Sequence, residues 1–262
     1  MWRPPPSRKP WGPDPQGFRD GGGRHIAERL IECFERRSQV FDERSLHPHA
    51  GYRLDLSVEL SSVNLETWWQ QKPDLKRFLD KVSVLNLDNT RFSSEPGGLL
   101  KDFAHLDEFS ARGCELTEIP QGITAMHVLS TLRLNDNHIR LTAQSVEQLS
   151  RLTYLKTLRL DRNPLGALPD IGRMPGLMIV SLRDTGIHTW PRGTFAKPRP
   201  RGFFLDLQNN PLARVPDVIP GSNDAFVVAR TRLNAQALSD VNRLAYENLR
   251  RSVGLSLSLI HI

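Results

Sequence analysis

Two successive segments of this chain are cast in one mould. "LSTLRLNDNHI" (Leu129–Ile139) and "LKTLRLDRNPL" (Leu155–Leu165) both fit L-x-x-L-x-L-x-x-N-x-L at every fixed position, with Ile139 standing for the last leucine of the first. Looser copies run through Val82–Leu85–Leu87–Thr90–Phe92, Leu106–Phe109–Ala111–Cys114–Leu116 and Leu177–Val180–Leu182–Thr185–Ile187. A sixth runs Leu205–Leu207–Asn210–Leu212, with Gly202 at its first position. The asparagine-type positions are thus Thr90, Cys114, Asn137, Asn163, Thr185 and Asn210, spaced by 24, 23, 26, 22 and 25 residues. Such a period constrains the fold more than any local propensity. Each copy must bury the same residues against its neighbours and turn the chain at the same point.

Each part of the mould has a physical reason. Leu-x-Leu alternation makes a short strand with leucines on one side, and stacked copies build a parallel sheet whose other face stays open. Burying one leucine contributes about 1.5–3 kcal/mol before chain entropy is counted. The asparagine carries donor and acceptor together, so one buried side chain can satisfy backbone groups at the turn. Thr and Cys do so less completely. Six residues after five of the six positions stands a proline, Pro96, Pro120, Pro169, Pro191 and Pro216, which suits an extended outer side. The third copy lacks it and is followed by the longest spacing. There "LTAQSVEQLSRL" has apolar residues at helical spacing and predicts a short outer helix.

The pattern resembles the leucine-rich repeat, over about residues 82–220. The fold it implies is an α/β solenoid: a leucine-rich-repeat horseshoe arc of about six repeats, with a parallel sheet on the concave face and helical caps at both ends. Residues 1–23, with "PPP" and "GGG", carry no core-building period and read as a disordered segment or linker. Residues 24–81 read as a helical N-terminal cap, with Ile26, Leu30, Cys33, Phe34 and Phe41 on one helix face and a second helix in "NLETWWQQKPDLKRFLDKV". After Pro220 the leucine pattern stops. Residues 221–255 read as a helical C-terminal cap, or a lead-in to a further domain, with Leu238, Val241, Leu244, Ala245 and Leu249 as its apolar face. Residues 256–262, "LSLSLIHI" without its first leucine, match nothing upstream and read as an unstructured, artefactual tail.

Composition narrows the function classes. The formal charge is +6 and the pI near 9.7, but 35 basic residues face 29 acidic ones spread through most of the chain. That mixture suits a protein surface better than a phosphate backbone, so no nucleic-acid partner is expected. No apolar run approaches the length of a membrane span. There is no phosphate loop, nucleophile elbow or H-E-x-x-H motif, and neither a cofactor nor a metal is expected. His47 and His49 have no third ligand nearby and read as loop residues. His138 and His188 read as solvated. Cys114 fills an asparagine slot and Cys33 lies on an apolar helix face, so both read as packing, and no catalytic residue is assigned.

The open strand face is what remains for binding. Its candidate partner-binding residues are Arg112, Arg133, Asn135, Arg159, Asp161, Arg162, Arg183, Asp206 and Gln208. The reading takes them as side chains that nothing buries, with Arg133, Arg159, Arg162 and Arg183 forming a basic stripe bordered by Asp136, Asp161 and Asp184.

The flanks narrow the resemblance. "HIAERLIECFERRSQVFDE", "FAKPRPRGFFLDLQNNP" and "GSNDAFVVARTRLNAQALSDVNRLAYENLRRSVG" are similar to the surroundings of the leucine-rich repeats in bacterial effectors of the NEL-type ubiquitin ligase family, especially those of pseudomonads. The resemblance implies secretion into a host cell and repeats that select substrate or restrain a separate helical ligase domain. In that family a cysteine in a C-x-D motif carries ubiquitin as a thioester. Here Cys33 precedes Phe34–Glu35 and Cys114 precedes Glu115–Leu116, so neither fits and this chain alone is not expected to ligate ubiquitin. Two readings stay open: the protein-binding, non-catalytic part of a larger ligase effector, or a self-contained adaptor. The partner's identity and the oligomeric state are not readable from the residues.

Overall fold

The computed structural model describes residues 28–33, 35, 39–40, 51–57, 79, 81–90, 97–103 and 105–255. The segments 1–23 and 256–262, the proposed second N-terminal helix up to residue 78, and His47 and His49 lie outside these. Residues 28–33 are helical (α1). There follow β1 (Gln39–Val40), β2 (Gly51–Asp55), β3 (Val82–Asn86), α2 (Gly97–Leu100), β4 (Glu108–Ser110), a 3-10 turn (Gln121–Ala125), β5 (Thr131–Arg133) and α3 (Ala143–Ser150). The chain continues through β6 (Thr157–Arg159), β7 (Ile179–Ser181), β8 (Phe204–Asp206), α4 (Asn223–Arg230), a second 3-10 turn (Ala235–Ala237) and α5 (Asp240–Ser252).

All eight strands form one sheet in sequence order. Strands β2 to β8 run parallel, and only β1 pairs antiparallel, on the outer side of β2. Parallel neighbours joined by one coil each are what a repeat of this length must produce, since a parallel pair needs a crossover of a dozen or more residues. The architecture is therefore an α/β leucine-rich-repeat solenoid with an open parallel sheet. The strand leucines do the work the period assigns them. Leu85, Leu87, Phe109, Ala111, Leu132, Leu134, Leu158, Leu160, Val180, Leu182 and Leu207 are fully buried in a single core that runs along the stack. In the sixth copy Gly202 cannot fill its slot; the adjacent Phe203 is buried instead, and the Met178 methyl lies 2.7 Å from where a Gly202 Cβ would stand.

The third copy carries its outer helix. Thr142 caps α3, its Oγ1 accepting from Ser145 N at 3.1 Å while Ser145 Oγ accepts from Thr142 N at 2.8 Å. This reciprocal box satisfies donors that a helix start leaves open.

The ends depart from the sequence reading. The helix expected to run on to Phe41 gives way to β1, so the described part of residues 24–81 is mixed: α1, then two strands that extend the sheet ahead of the first copy. Val-, Tyr- and Leu-containing "QV" and "GYRLD" gain ladder hydrogen bonds from an edge that would otherwise stay unpaired. At the other end the ladder does not stop at residue 220. Arg232 bridges Asp206 in parallel, with Leu207 N donating to Arg232 O at 2.9 Å and Arg232 N to Leu205 O at 2.9 Å. Val228, Thr231, Leu233 and Leu238 are buried at the spacing of the mould, making a seventh, degenerate turn, with α4 as the outer side of the sixth copy that leads into it. Beyond it α5 caps the stack with a different face from the expected one. Val241 is 79% and Leu244 57% exposed, whereas Tyr246 and Arg250 are buried. The reason is the open ladder end: Tyr246 Oη donates to Thr231 O at 2.6 Å, Arg250 Nη1 to Ala229 O at 3.1 Å, and Asn242 Oδ1 accepts from Val215 N at 2.8 Å. Hydrogen bonding the last turn's backbone outweighs burial of two aliphatic side chains.

Candidate functional site

Strand register places the open face in rows. Asp55, Asn86, Ser110, Arg133, Arg159, Ser181 and Asp206 are successive Cα partners across the sheet. Two residues further on, alternation puts Ser57, Asp88, Arg112, Asn135, Asp161, Arg183 and Gln208 on the same side. Arg133 and Arg159 are therefore neighbours, as the basic stripe requires.

The nine candidate residues fall into two layers. Arg112, Arg159, Arg162 and Arg183 are exposed, and Arg133 and Gln208 are half-buried. Asn135, Asp161 and Asp206 are only 5%, 4% and 7% exposed, which corrects the expectation that nothing buries this face. Parallel strands lie about 4.8 Å apart, so short polar side chains in adjacent strands close over one another while arginines rise past them. The floor is also internally bonded. Ser181 Oγ donates to Asp161 Oδ1, Ser110 Oγ to Asp88 Oδ1 at 2.6 Å, and Gln208 N to Asp206 Oδ1 at 3.0 Å.

Charge is paired unevenly. Arg133 meets Glu108 at 3.1 Å, Arg159 meets Asp161 at 3.5 Å, and Arg112 (at 3.4 Å) and Arg162 share Asp136. Arg183 has no ion pair among the described residues. The Arg162 hydrogen bond holds the Asp136 carboxyl below its ordinary range. Burial pushes the Asp161 carboxyl up, only partly opposed by Arg159, and the nearby Asp206 charge adds to the rise. The face thus presents exposed cations over a desolvated, acceptor-rich floor.

The asparagine-type positions lie beneath this face, all buried: Thr90, Cys114, Asn137, Asn163, Thr185 and Asn210. Each asparagine binds backward to the preceding copy. Asn137 Oδ1 accepts from Cys114 N at 2.8 Å and Leu116 N at 3.1 Å, and its amide donates to Ala111 O and Leu134 O. Asn210 Oδ1 likewise accepts from Thr185 N and Ile187 N. Asn163 Oδ1 accepts from Ile139 N, and its amide donates to Leu134 O and Leu160 O.

One recurring position escaped the sequence reading. The residue just before each asparagine-type position has a left-handed backbone: Asn89, Gly113, Asp136, Arg162, Asp184 and Asn209, with φ from 51° to 64°. Five of the six are Gly, Asn or Asp, the types that tolerate this conformation, and that recurrence was the available signal. Cys114 Sγ donates to Leu87 O at 3.0 Å, and burial pushes its thiol up to about 12. A thiol so buried and so weakly acidic is a poor nucleophile. Cys33 is also buried, and His138 and His188 are exposed. The described residues contain no cluster of three or more metal-binding side chains, and no helix among them is long and apolar enough to cross a membrane.

No protein-family model matches the sequence, and no curated protein matches it. Among solved structures it is similar to a leucine-rich repeat protein of Leptospira interrogans (21% identity, TM-score 0.48, 63% of this chain and 38% of that one). It is also similar to an internalin of Listeria monocytogenes (19%, TM-score 0.34, 40% and 30%) and to a TDR receptor (19%, TM-score 0.46, 62% and 31%). The chain therefore covers less than two fifths of each of these proteins. The assignment of fold rests on the ladder and the buried repeat positions described above.

Proposed function

We propose that this chain is a protein-binding module whose open strand face engages an acidic patch on a protein partner. The observation that carries the reading is the layering of exposed Arg112, Arg159, Arg162 and Arg183 over buried Asn135, Asp161 and Asp206. The rigid, hydrogen-bonded floor fixes where the guanidinium groups start, and their exposed heads supply planar, bidentate recognition of carboxylates. Interspersed acids (Glu108, Asp136, Asp184) set register and penalise a uniformly anionic polymer. The module carries out no chemistry of its own.

The resemblance of the flanks supports a narrower assignment: the substrate-selecting part of a secreted bacterial ubiquitin-ligase effector, acting inside a host cell. Two measurements separate the layers of the proposal. Arg133, Arg159 and Arg183 reversed together to Glu are expected to lower capture of partner from host lysate by at least about tenfold while the thermal melt stays close to wild type. Undiminished capture by the folded variant moves the site off this face. Sequencing the source DNA past codon 262 tests the ligase link: a continuing frame with a C-x-D cysteine supports it, and an immediate stop leaves a self-contained adaptor.

A further inference from the structure

A second surface lies apart from the strand face, in the groove between the approach to β8 and helix α4. It encloses about 460 Å³, within the size range of ligand pockets, and its lining includes Arg201, Phe203, Phe226, Val227 and Arg230. None of its lining residues belongs to the rows of the open face.

The groove is held open by bonds that a mere surface dent lacks. The Arg199 guanidinium is buried and donates to four backbone carbonyls: Thr194 O at 2.9 Å, Met174 O at 2.8 Å, Ile171 O at 3.0 Å and Gly193 O at 2.7 Å. It also lies over the Phe203 ring, 5.3 Å from the centroid. Asn223, on the first turn of α4, clasps the Arg199 backbone in both directions, accepting from its N at 3.0 Å and donating to its O at 3.2 Å. The two walls are thus tied to one another at one end by a part-buried pair of hydrogen bonds, which sets the first turn of α4 against residue 199.

Charge then selects the occupant. Arg201 and Arg230 are exposed at the rim, and neither has an ion pair among the described residues; Arg230 Nη1 donates only to the Arg201 carbonyl. Among the described residues, no carboxylate lines the groove. Phe226, 43% exposed, presents an aromatic ring beside them, and Met178 on the neighbouring copy is 37% exposed. Two uncompensated guanidiniums around an aromatic and aliphatic hollow match a ligand that is apolar in its body and anionic at its edge.

We propose that this groove binds a short acidic-aromatic peptide segment of a protein partner, a Phe or Leu side chain in the hollow with adjacent carboxylates on Arg201 and Arg230. The contact is independent of the strand face and would give one partner two points of attachment.

The test uses the full chain and two synthetic peptides, acetyl-Asp-Phe-Asp-Leu-amide and acetyl-Lys-Phe-Lys-Leu-amide, followed by NMR of the Val227 methyls and by fluorescence polarisation of labelled copies. The acidic peptide is expected to shift the Val227 signals and to bind at least about tenfold more tightly than the basic one. Phe226→Ala and the pair Arg201→Gln with Arg230→Gln are each expected to weaken it about tenfold, whereas the Arg133, Arg159 and Arg183 reversal leaves it unchanged. Equal binding of the two peptides, or loss in the strand-face variant with none in the groove variants, overturns the proposal. So does sedimentation of the chain with phosphatidylserine vesicles in place of any Val227 response to peptide, which would make the arginines a lipid contact.

Discussion

The turns at Cys114 and Thr185 and the turn at Asn163 solve one problem in two ways. At Cys114 and Thr185 the residue after the key position is left-handed, Glu115 (φ 59°) and Gly186 (φ 72°). This curls the chain so that two N–H groups, of the key residue and of the residue two further on, converge on a single oxygen. That oxygen is the side-chain Oδ1 of the asparagine in the next copy, Asn137 or Asn210. The arrangement is a backbone nest with a neutral occupant. At Asn163 the next residue is Pro164, whose ring forbids such a curl, and the Asn163 amide secures its own turn through Leu160 O and Asp161 O while also reaching back to Leu134 O. At Cys114 and Thr185, then, the weaker key residue is tolerated because a stronger neighbour holds its turn. The surface follows the same division: the Cys114 and Thr185 copies present exposed arginines, Arg112 and Arg183, where the asparagine copies place Asn135, Asp161 and Gln208.

This division ranks the asparagines, and the ranking can be broken by experiment. Asn210 serves three carbonyls of its own and the preceding strand, Leu182 O, Leu207 O and Gln208 O, and also Thr185 N, Thr185 Oγ1 and Ile187 N. Asn210→Leu leaves Thr185 N, Ile187 N and Leu207 O without these bonds, while Leu182 O keeps Thr185 Oγ1 and Gln208 O keeps Asp184 N, and a cost of about 3–5 kcal/mol is expected from urea unfolding. Asn163→Leu, which strands fewer groups, is expected to cost less, about 2–4 kcal/mol. If Asn163→Leu is the more damaging, the neighbour's support of the Thr185 turn is of no energetic consequence.

A smaller effect separates the two kinds of copy through their strand faces. Asp161 sits where the Cys114 copy has Arg112, and its folded-state acidity is weakened by burial from an ordinary value of 3.8. The folded chain holds this proton more tightly than the unfolded chain does. The stability that Asp161 contributes is therefore intact below pH 3.8 and falls as pH rises through that value to the raised one, remaining reduced at neutrality. Asp161→Asn is expected to raise the unfolding free energy at pH 7 and to leave it nearly unchanged at about pH 3. A gain that is the same at both pH values would mean that something other than the buried charge is relieved.

Much of this was legible in the sequence, for a physical reason that also explains what was not. A leucine every two or three positions in a fixed frame leaves Leu132, Leu158 and their equivalents one place to go, so the solenoid follows from the pattern alone. Burial on the open face depends on neighbours one period away, and a single copy of the mould shows neither the Ser181 hydroxyl closing on Asp161 nor Arg159 lying beside it. The end caps were harder still. There the chain answers to unpaired backbone, and a helix such as α5 turns its Tyr246 and Arg250 inward against its own apolar periodicity.

The smallest expected effect is the cleanest measure of the curl itself. At Gly186 an added Cβ would meet nothing within 4 Å, so Gly186→Ala changes no packing and exacts only the conformational cost of a left-handed alanine, about 1 kcal/mol. Gly186→Asn, with a side chain better suited to that region, is expected to lose less. Both should leave Asn210 in place, since its amide is also anchored on Leu182 O at 2.7 Å and Leu207 O at 3.0 Å. If Ala and Asn instead cost the same several kcal/mol, the turn is not simply strained but has opened, and the nest at Thr185 depends on glycine as much as on the asparagine that fills it.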